Sequence, residues 1–311
     1  PGLELPRLKM PESMEGLVVR STAGFVDVRT DGKLVQARIR GRLKNTPRTT
    51  DLCVIGDRVR LAAPDAHSYV VDEVLPRHSR FSRRQPGRGP SKEDVLVANL
   101  DQLLITFCHG RPELKTRLLD RFLVIAEHQE VQPVIVMNKA DLEVPGGQAW
   151  QAVYRAIGYP ILTVSAATGA GMDRLRETLH DKISAFVGPS GVGKSSLINH
   201  ILPGLDLGIA EVSDRHGKGR HTTRVATLHS LPGGGFLADT PGIRELGTWA
   251  LPIEELDRCF PELESHRTRC GFRMCSHTHE PRCAVTQALS EGLIDPERYE
   301  SYVRLRSEAT D

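Results

Sequence analysis

Eight consecutive residues, Gly188-Pro189-Ser190-Gly191-Val192-Gly193-Lys194-Ser195, fit the pattern G-x-x-x-x-G-K-[ST]. In that pattern successive backbone N–H groups curl round phosphate oxygens, the lysine reaches the terminal phosphates and the hydroxyl serves Mg²⁺. Lys194 is placed to stabilise charge on the β- and γ-phosphates, Ser195 to hold the metal, and Ser196 to continue the phosphate contacts into the next element. About fifty residues earlier stands Asn138-Lys139-Ala140-Asp141. A carboxylate at Asp141 can accept from both N1–H and the exocyclic amino group of guanine; adenine offers neither donor and would leave the acid unpaired. Alone, the tetrapeptide equally describes an exposed turn in which Asp141 caps a helix. Beside a phosphate loop it describes guanine selection.

Three further segments extend the set. Ser165-Ala166 can offer backbone contacts to the base edge and, taken by itself, is an ordinary turn. Asp239-Thr240-Pro241-Gly242 brings a carboxylate toward Mg²⁺ and a glycine N–H toward a γ-phosphate, against the plainer reading of a Pro-Gly turn. Between them, Gly219-Arg220-His221-Thr222-Thr223 offers two threonines, either of which could complete the Mg²⁺ shell, or else a solvated polar loop.

The flanking sequence supplies elements to hold these groups. Ile183-Ser184-Ala185-Phe186-Val187 reads as a buried strand ahead of the phosphate loop, and Ser196 to Ile201 continues as a helix, so the anion sits at a helix N-terminus. Pro133 to Met137, Pro160 to Val164 and Gly235 to Ala238 read as strands before the other segments, at the carboxyl ends where open α/β sheets bind ligands.

A different chemistry follows Leu246: Cys270-x4-Cys275-x-His277-x5-Cys283, three thiolates and an imidazole for a closed tetrahedral Zn²⁺ site, with His279 a competing ligand. Three clustered cysteines cannot all pair as disulfides among themselves. Cys53, Cys108 and Cys259 are scattered and read as ordinary thiols. No open coordination position is implied, so the metal is structural, fixing helices over Pro252–Leu256 and Ala284–Arg306.

From Met14 to about Leu75 the pattern is five short alternating runs with turn punctuation, a small barrel for which an OB-fold is the fitting topology. Arg38, Arg40, Arg42, Lys44 and Arg48 make one edge basic, suited to phosphate or to a solvated, charge-protected edge strand. Arg77 to Lys92, with six basic residues, no acid and Pro86, Gly87, Gly89 and Pro90, reads as a basic linker; a lone Phe81 gives little support for base stacking. A third basic cluster, Arg215, Lys218, Arg220 and Arg224, surrounds the threonines. The whole chain of 311 residues carries 41 basic and 39 acidic side chains, so its net charge of +2 predicts no overall polyelectrolyte affinity, and any RNA contact must be local. No apolar run approaches the ~20 residues of a membrane span, and Pro1-Gly2-Leu3-Glu4 has no signal-peptide pattern; a first residue other than methionine reads as processing or truncation.

In an ordinary GTPase the phosphate loop comes first, then the switch threonine, Asp-x-x-Gly, Asn-Lys-x-Asp and Ser-Ala. Here the last two come first. A circular permutation explains this, since parallel strands joined by crossovers keep their places when the termini move. On these motifs, in this order, and with Cys-x4-Cys-x-His-x5-Cys behind them, nearly the whole chain resembles the RsgA (YjeQ/EngC) family of circularly permuted ribosome-assembly GTPases. The resemblance implies a multidomain α/β protein: an N-terminal OB-fold β-barrel over 1–82, a basic linker over 83–93, a central circularly permuted P-loop GTPase with a mostly parallel sheet over 94–247, and a C-terminal helical zinc-binding domain over 248–311. It favours His277 over His279 as the fourth zinc ligand. It implies GTP, GDP and Mg²⁺ besides one Zn²⁺, hydrolysis stimulated by the 30S ribosomal subunit late in its maturation, contact with 16S rRNA, a cytoplasmic location and a monomer. Where Ras-like sites carry a water-orienting glutamine, this chain has Ile243, an apolar replacement the family shares. His221 is the candidate to orient water, the alternative being that it contacts RNA or caps its loop. Competing with this reading are a signalling or transport GTPase with a protein partner, which the barrel and basic linker disfavour, and an RNA-binding module with merely structural nucleotide, which the Mg²⁺ and γ-phosphate motifs disfavour.

Overall fold

The computed structural model describes residues 14–22, 24–41, 53–65, 68–84, 93–142, 149–205, 225–240, 243, 246 and 253–308. These fall into two compact units, residues 1–99 with 223–229, and residues 100–222 with 230–311.

In the first unit, strands β1 (Met14–Thr22), β2 (Phe25–Thr30), β3 (Lys33–Ile39), β4 (Arg58–Asp65) and β5 (Ser68–Val74) form a ring. β1 pairs with β2, β2 with β3, β3 in parallel with β5, β5 with β4, and β4 back to β1, a closed five-stranded barrel that leaves no free edge. Alternation along the strands sends Val18, Val26, Val28, Ala37, Val59, Leu61 and Val71 into one core. The β2–β3 turn is Asp31-Gly32, both with positive φ, the mirror-image turn whose twist suits a two-residue hairpin.

The stretch read as a basic linker behaves differently. Arg80–Arg84 is a strand, β6, paired antiparallel with β7 (Glu93–Ala98), and β7 lies in the first unit rather than opening the nucleotide domain. Only residues 85–92, outside the described residues, separate the two strands. Phe81 is fully buried. Arg77 is committed to the buried Asp57 carboxylate, Nε at 2.7 Å and Nη2 at 2.9 Å from its two oxygens. Neither is available to an RNA ligand. Of the basic edge, Arg40 pairs with Asp72 and Arg38 stacks over the Phe25 ring at 5.3 Å, while Arg42, Lys44 and Arg48 lie outside the described residues.

The second unit is built on a parallel sheet of β8 (Gln102–Cys108), β9 (Gln132–Asn138), β10 (Ile161–Thr163), β11 (Ile183–Val187) and β13 (Phe236–Asp239), in the spatial order β10-β9-β8-β11-β13. Strand β12 (Thr227–Ser230), most of which belongs with the first unit, pairs there with β1 through Thr227 and Arg20. Helices α1 (Thr116–His128), α2 (Ala149–Ile157) and α3 (Met172–Leu179) connect the strands, and α4 (Lys194–Ile201) follows β11. All seven residues of β8 and all five of β11 are buried, the continuous apolar runs of a parallel sheet covered on both faces. The chain runs outward from β8 through β9 to β10 and then returns to lay β11 on the other side of β8. The crevice at the carboxyl ends of β8 and β11 is therefore the switch point where such sheets bind ligands.

After residue 252 come a 3₁₀ segment (Ile253–Cys259), where an α-helix is predicted to start at Pro252, then α5 (Pro261–Arg267), α6 (Ala284–Ser290) and α7 (Pro296–Glu308). They share one core with α1: Val124 packs with Leu256, Phe260, Leu263, Val285, Tyr302 and Leu305. Arg298 of α7 lies wholly within this junction. Its Nε reaches Glu262 Oε1 at 2.7 Å, its Nη1 pairs with Asp120 of α1, and its guanidinium lies over the rings of Phe260 (4.5 Å) and Tyr154 (5.2 Å). Burial alone would favour the neutral form, but the Asp120 and Glu262 carboxylates outweigh it and hold Arg298 charged.

Candidate functional site

The turn after β9 is tied to its neighbours by side chains that the sequence places 52 and 54 residues apart. Asn138 donates from Nδ2 to the Val192 carbonyl at 2.9 Å and accepts at Oδ1 from the Ala166 amide at 3.1 Å. One buried amide thus joins three loops. Lys139, in the left-handed region at φ 58°, donates to the carbonyls of Gly191 (2.9 Å) and Arg111 (2.6 Å). Asp141 accepts from the Ser165 hydroxyl, which in turn accepts from Thr168 N at 3.2 Å. That hydroxyl, followed by Asp141's own backbone N–H, holds its carboxyl below the usual aspartate range, so it is an anion aimed beside the Ser165-Ala166 turn.

The phosphate loop runs from β11 to α4 through Gly188 (φ 137°) and Gly193 (φ 93°). A Cβ at Gly188 would lie 2.1 Å from the Thr106 carbonyl oxygen of β8, and one at Gly193 2.3 Å from Asn138 Nδ2, so only glycine lets the loop pass this close to its neighbours. Val192 is fully buried as the loop's anchor, Ser190 and Gly191 are exposed, and Lys194, Ser195 and Ser196 are half-buried at the start of α4. Lys194 Nζ donates to the Gly188 and Pro189 carbonyls at 2.7 Å each, spanning the concavity of the loop. Asp239 ends β13, next to β11 in the sheet. Ile243 is 2% exposed, its side chain in the core, so it has neither the chemistry nor the position to hold a water. His221, Thr222, Thr223 and Gly242 lie outside the described residues.

A segment that the sequence reading passed over sits among these loops. Cys108 ends β8, its thiol donates to the Arg111 carbonyl at 3.3 Å, and that carbonyl takes the Lys139 ammonium. A Cβ added at Gly191 would lie 3.6 Å from Pro112 Cδ, so the phosphate loop passes close beside this segment. Nothing in residues 108–112 marks this role. It follows from β8 lying between β9 and β11.

In the C-terminal segment one ligand atom each from Cys270, Cys275, His277 and Cys283 lies within 4.8 Å of the others. The Cys270 and Cys283 sulfurs are 3.8 Å apart, close to the ~3.8 Å edge of a tetrahedron with Zn–S bonds of ~2.3 Å. His277 presents Nδ1 to this cluster, 3.4 Å from Cys283 and 3.5 Å from Cys270, while Nε2 faces Asp257 Oδ2 at 3.3 Å. A carboxylate behind the imidazole fixes which nitrogen is offered to a metal. His279 is exposed and bonds Thr278 instead. Burial raises the Cys283 thiol, but the Thr286 amide and His277 outweigh it and bring it to about 7, a ready thiolate. The donor set fits zinc, and these four residues would be its ligands; all six cysteines are free thiols. Asp257 was not legible, because it stands 20 residues before the histidine it holds.

The Gly188–Ser195 loop, the Asn138–Asp141 turn and the Ser165-Ala166 turn meet at the switch point of one parallel sheet that the chain enters from the Asn138 side, and the protein is a circularly permuted P-loop GTPase. Two solved structures share the arrangement: YjeQ from Thermotoga maritima (TM-score 0.78, 35% identity, 96% of this chain and 99% of that one) and YloQ, described as a circularly permuted GTPase (TM-score 0.73, 31%, 100% and 98%). The chain belongs to the RsgA GTPase family, whose model matches residues 74–249 while that of the RsgA N-terminal domain matches 15–70. Among curated relatives, proteins named small ribosomal subunit biogenesis GTPase RsgA are 47% identical in Gemmatimonas aurantiaca, over 96% of this chain and 98% of that protein, and 41% identical in Moorella thermoacetica, over 95% and 97%.

Proposed function

We propose that the protein hydrolyses GTP to GDP and phosphate while engaged with the small ribosomal subunit late in its maturation, as a cytoplasmic monomer. The observation that carries the nucleotide part is Asn138, whose one side chain fixes the base-reading turn, the Ser-Ala turn and the phosphate loop in a single crevice. In this reading Asp141 and the Ser165-Ala166 turn receive guanine, Gly188 to Ser196 receive the phosphates, and Lys194 leaves its loop carbonyls for the β- and γ-oxygens. Ser195, Asp239 and one of Thr222 and Thr223 serve Mg²⁺, Gly242 meets the γ-phosphate, and bound Mg²⁺ supplies charge neutralisation at the transferring phosphoryl group. His221 orients the attacking water, a place that the buried Ile243 leaves to another residue. The relatives' names support the small subunit as partner. The barrel supports contact with 16S rRNA, since this topology binds oligonucleotides. Among the described residues no helix is long and apolar enough to cross a membrane.

The experiment is GTP turnover with and without purified 30S subunits, for the unaltered protein and for His221→Ala. Stimulation by the subunit, lost in His221→Ala at unchanged GTP affinity, is the expected result. Absence of stimulation overturns the ribosomal reading, and full stimulation in His221→Ala removes that residue from it.

A further inference from the structure

The turn after β8 is held by side chains from two strands. Cys108, the last residue of β8, is 2% exposed and stands opposite Asn138 in the β8–β9 register. The pairing ends one residue later, where the His109 amide donates to the Asn138 carbonyl at 2.9 Å, and Gly110, at φ 77°, opens the turn. The next two carbonyls, those of Arg111 and Pro112, lie 3.3 and 3.6 Å from the Cys108 sulfur and accept from its thiol. Among the described residues no backbone N–H reaches the Arg111 carbonyl; its donors are the Cys108 thiol and the Lys139 ammonium, the latter at 2.6 Å. Lys139 gives a second bond to the Gly191 carbonyl of the phosphate loop at 2.9 Å.

A buried cysteine at the end of a strand is ordinarily a small hydrophobe with a weak donor. Here the donor has two carbonyls in reach, and burial raises the thiol pKa more than the nearby Lys139 ammonium lowers it, so the proton stays on sulfur. A carbonyl oxygen carries two lone pairs, and that of Arg111 serves the thiol with one and the ammonium with the other. We propose that Cys108 is a positioning residue for nucleotide retention: its thiol aims the Arg111 carbonyl at Lys139, and Lys139, so held, ties the Asn138–Asp141 turn to the phosphate loop at Gly191. The inference rests on the reading of those two segments as one guanine-nucleotide site. Cys108 acts through Lys139, on how firmly the crevice is held together, so its loss shows in the rate at which nucleotide leaves.

The test is release of fluorescent GDP from the full chain, chased with excess unlabelled GDP. Cys108→Val, which fills the space without a donor, and Cys108→Ala, which adds no bulk, should both release GDP roughly three- to ten-fold faster, the weight of about one hydrogen bond. Cys108→Ser, whose hydroxyl can donate, should stay within about two-fold of the parent. In a Lys139→Met background Cys108→Val should add nothing, because the two side chains act as one unit. Unchanged release in Val and Ala, acceleration in only one of them, release as fast in Ser as in Val, or a full Cys108→Val effect without Lys139 would overturn the proposal. The guanine reading is judged separately, by competition on the parent: ADP displacing the label as well as GDP does defeats that reading, while the Cys108 series still decides the part played by the thiol.

Discussion

Replacing Arg298 by methionine keeps most of the stem's volume and removes its charge, and the surroundings set the cost. The guanidinium is almost wholly buried and serves Asp120 and Glu262 at once, with the Tyr154 hydroxyl also donating to Asp120 at 2.6 Å. Arg298→Met strands two carboxylates in a dry junction, and removing one partner of a buried pair costs about 3–5 kcal/mol. The two ring faces add about 0.5–2 kcal/mol each, which the methionine thioether recovers in part. Against a total stability of about 5–15 kcal/mol this is a large fraction. At about 2–4 °C per kcal/mol for a body of this size, the melting temperature should fall by roughly 6–20 °C. Neutralising the stranded acids should reverse most of it, so the triple variant Arg298→Met, Asp120→Asn, Glu262→Gln is expected within ~1–2 kcal/mol of the parent in urea melts. The reasoning fails if Arg298→Met alone costs under ~1 kcal/mol, or if the triple variant is no better than the single one.

Gly193→Ala must place a Cβ 2.3 Å from Asn138 Nδ2 at φ 93°, which breaks the bond to Val192. At roughly 1–2 kcal/mol for the backbone and ~1 for the bond, fluorescent GDP should bind about 30- to 150-fold more weakly, and unchanged affinity would contradict the close approach. Asp141→Asn exchanges an acceptor for a donor, so affinity should pass from guanine to xanthine nucleotides by at least ~100-fold in competition binding; a variant still preferring GTP would show that Asp141 does not read the base. Chelation should release one zinc per chain and, since Val124 shares a core with the C-terminal helices, lower hydrogen-exchange protection in α1 as well; protection lost only beyond residue 252 would refute that shared core. Burial pushes the Glu127 carboxyl above the ordinary glutamate range. Its contribution to stability is then fully present below the unfolded pKa of ~4.3 and lost as pH rises through the folded one. Glu127→Gln should therefore gain on the parent from about pH 4.3 upward until the folded pKa is passed, and a difference in urea midpoints that does not vary with pH would exclude this.

What the sequence made legible was local. A glycine-rich loop between an apolar strand and a helix, and a Cys-x4-Cys-x-His-x5-Cys run, carry their chemistry in residues close enough to read together. Asp257 and the 108–112 segment were hidden for the opposite reason. Each acts on a residue that sheet order or helix packing brings to it, and neither has a distinctive type or spacing. The basic stretch from Arg77 was misread because proline and glycine around residue 88 looked like a linker, whereas they lie between two strands. Arg77 looked like part of a basic run with no acid because its acid, Asp57, stands 20 positions away. Asn-Lys-x-Asp was ambiguous alone and gained its meaning from the phosphate loop in the same sequence, and the bond from Asn138 to Val192 joins the two.

That contact has a direction in time. The amide of Asn138 waits for a carbonyl 54 residues further along the chain. At about 5–20 residues per second of synthesis, roughly 3–11 s separate the two. In an unpermuted GTPase the phosphate loop leaves the ribosome first and the base-reading turn arrives to complete it. Here the order of birth is inverted: the half proposed to receive the base is made before the half proposed to receive the phosphates. The two halves cannot be joined by this bond until Val192 has been made, so the crevice they form belongs to the later part of synthesis.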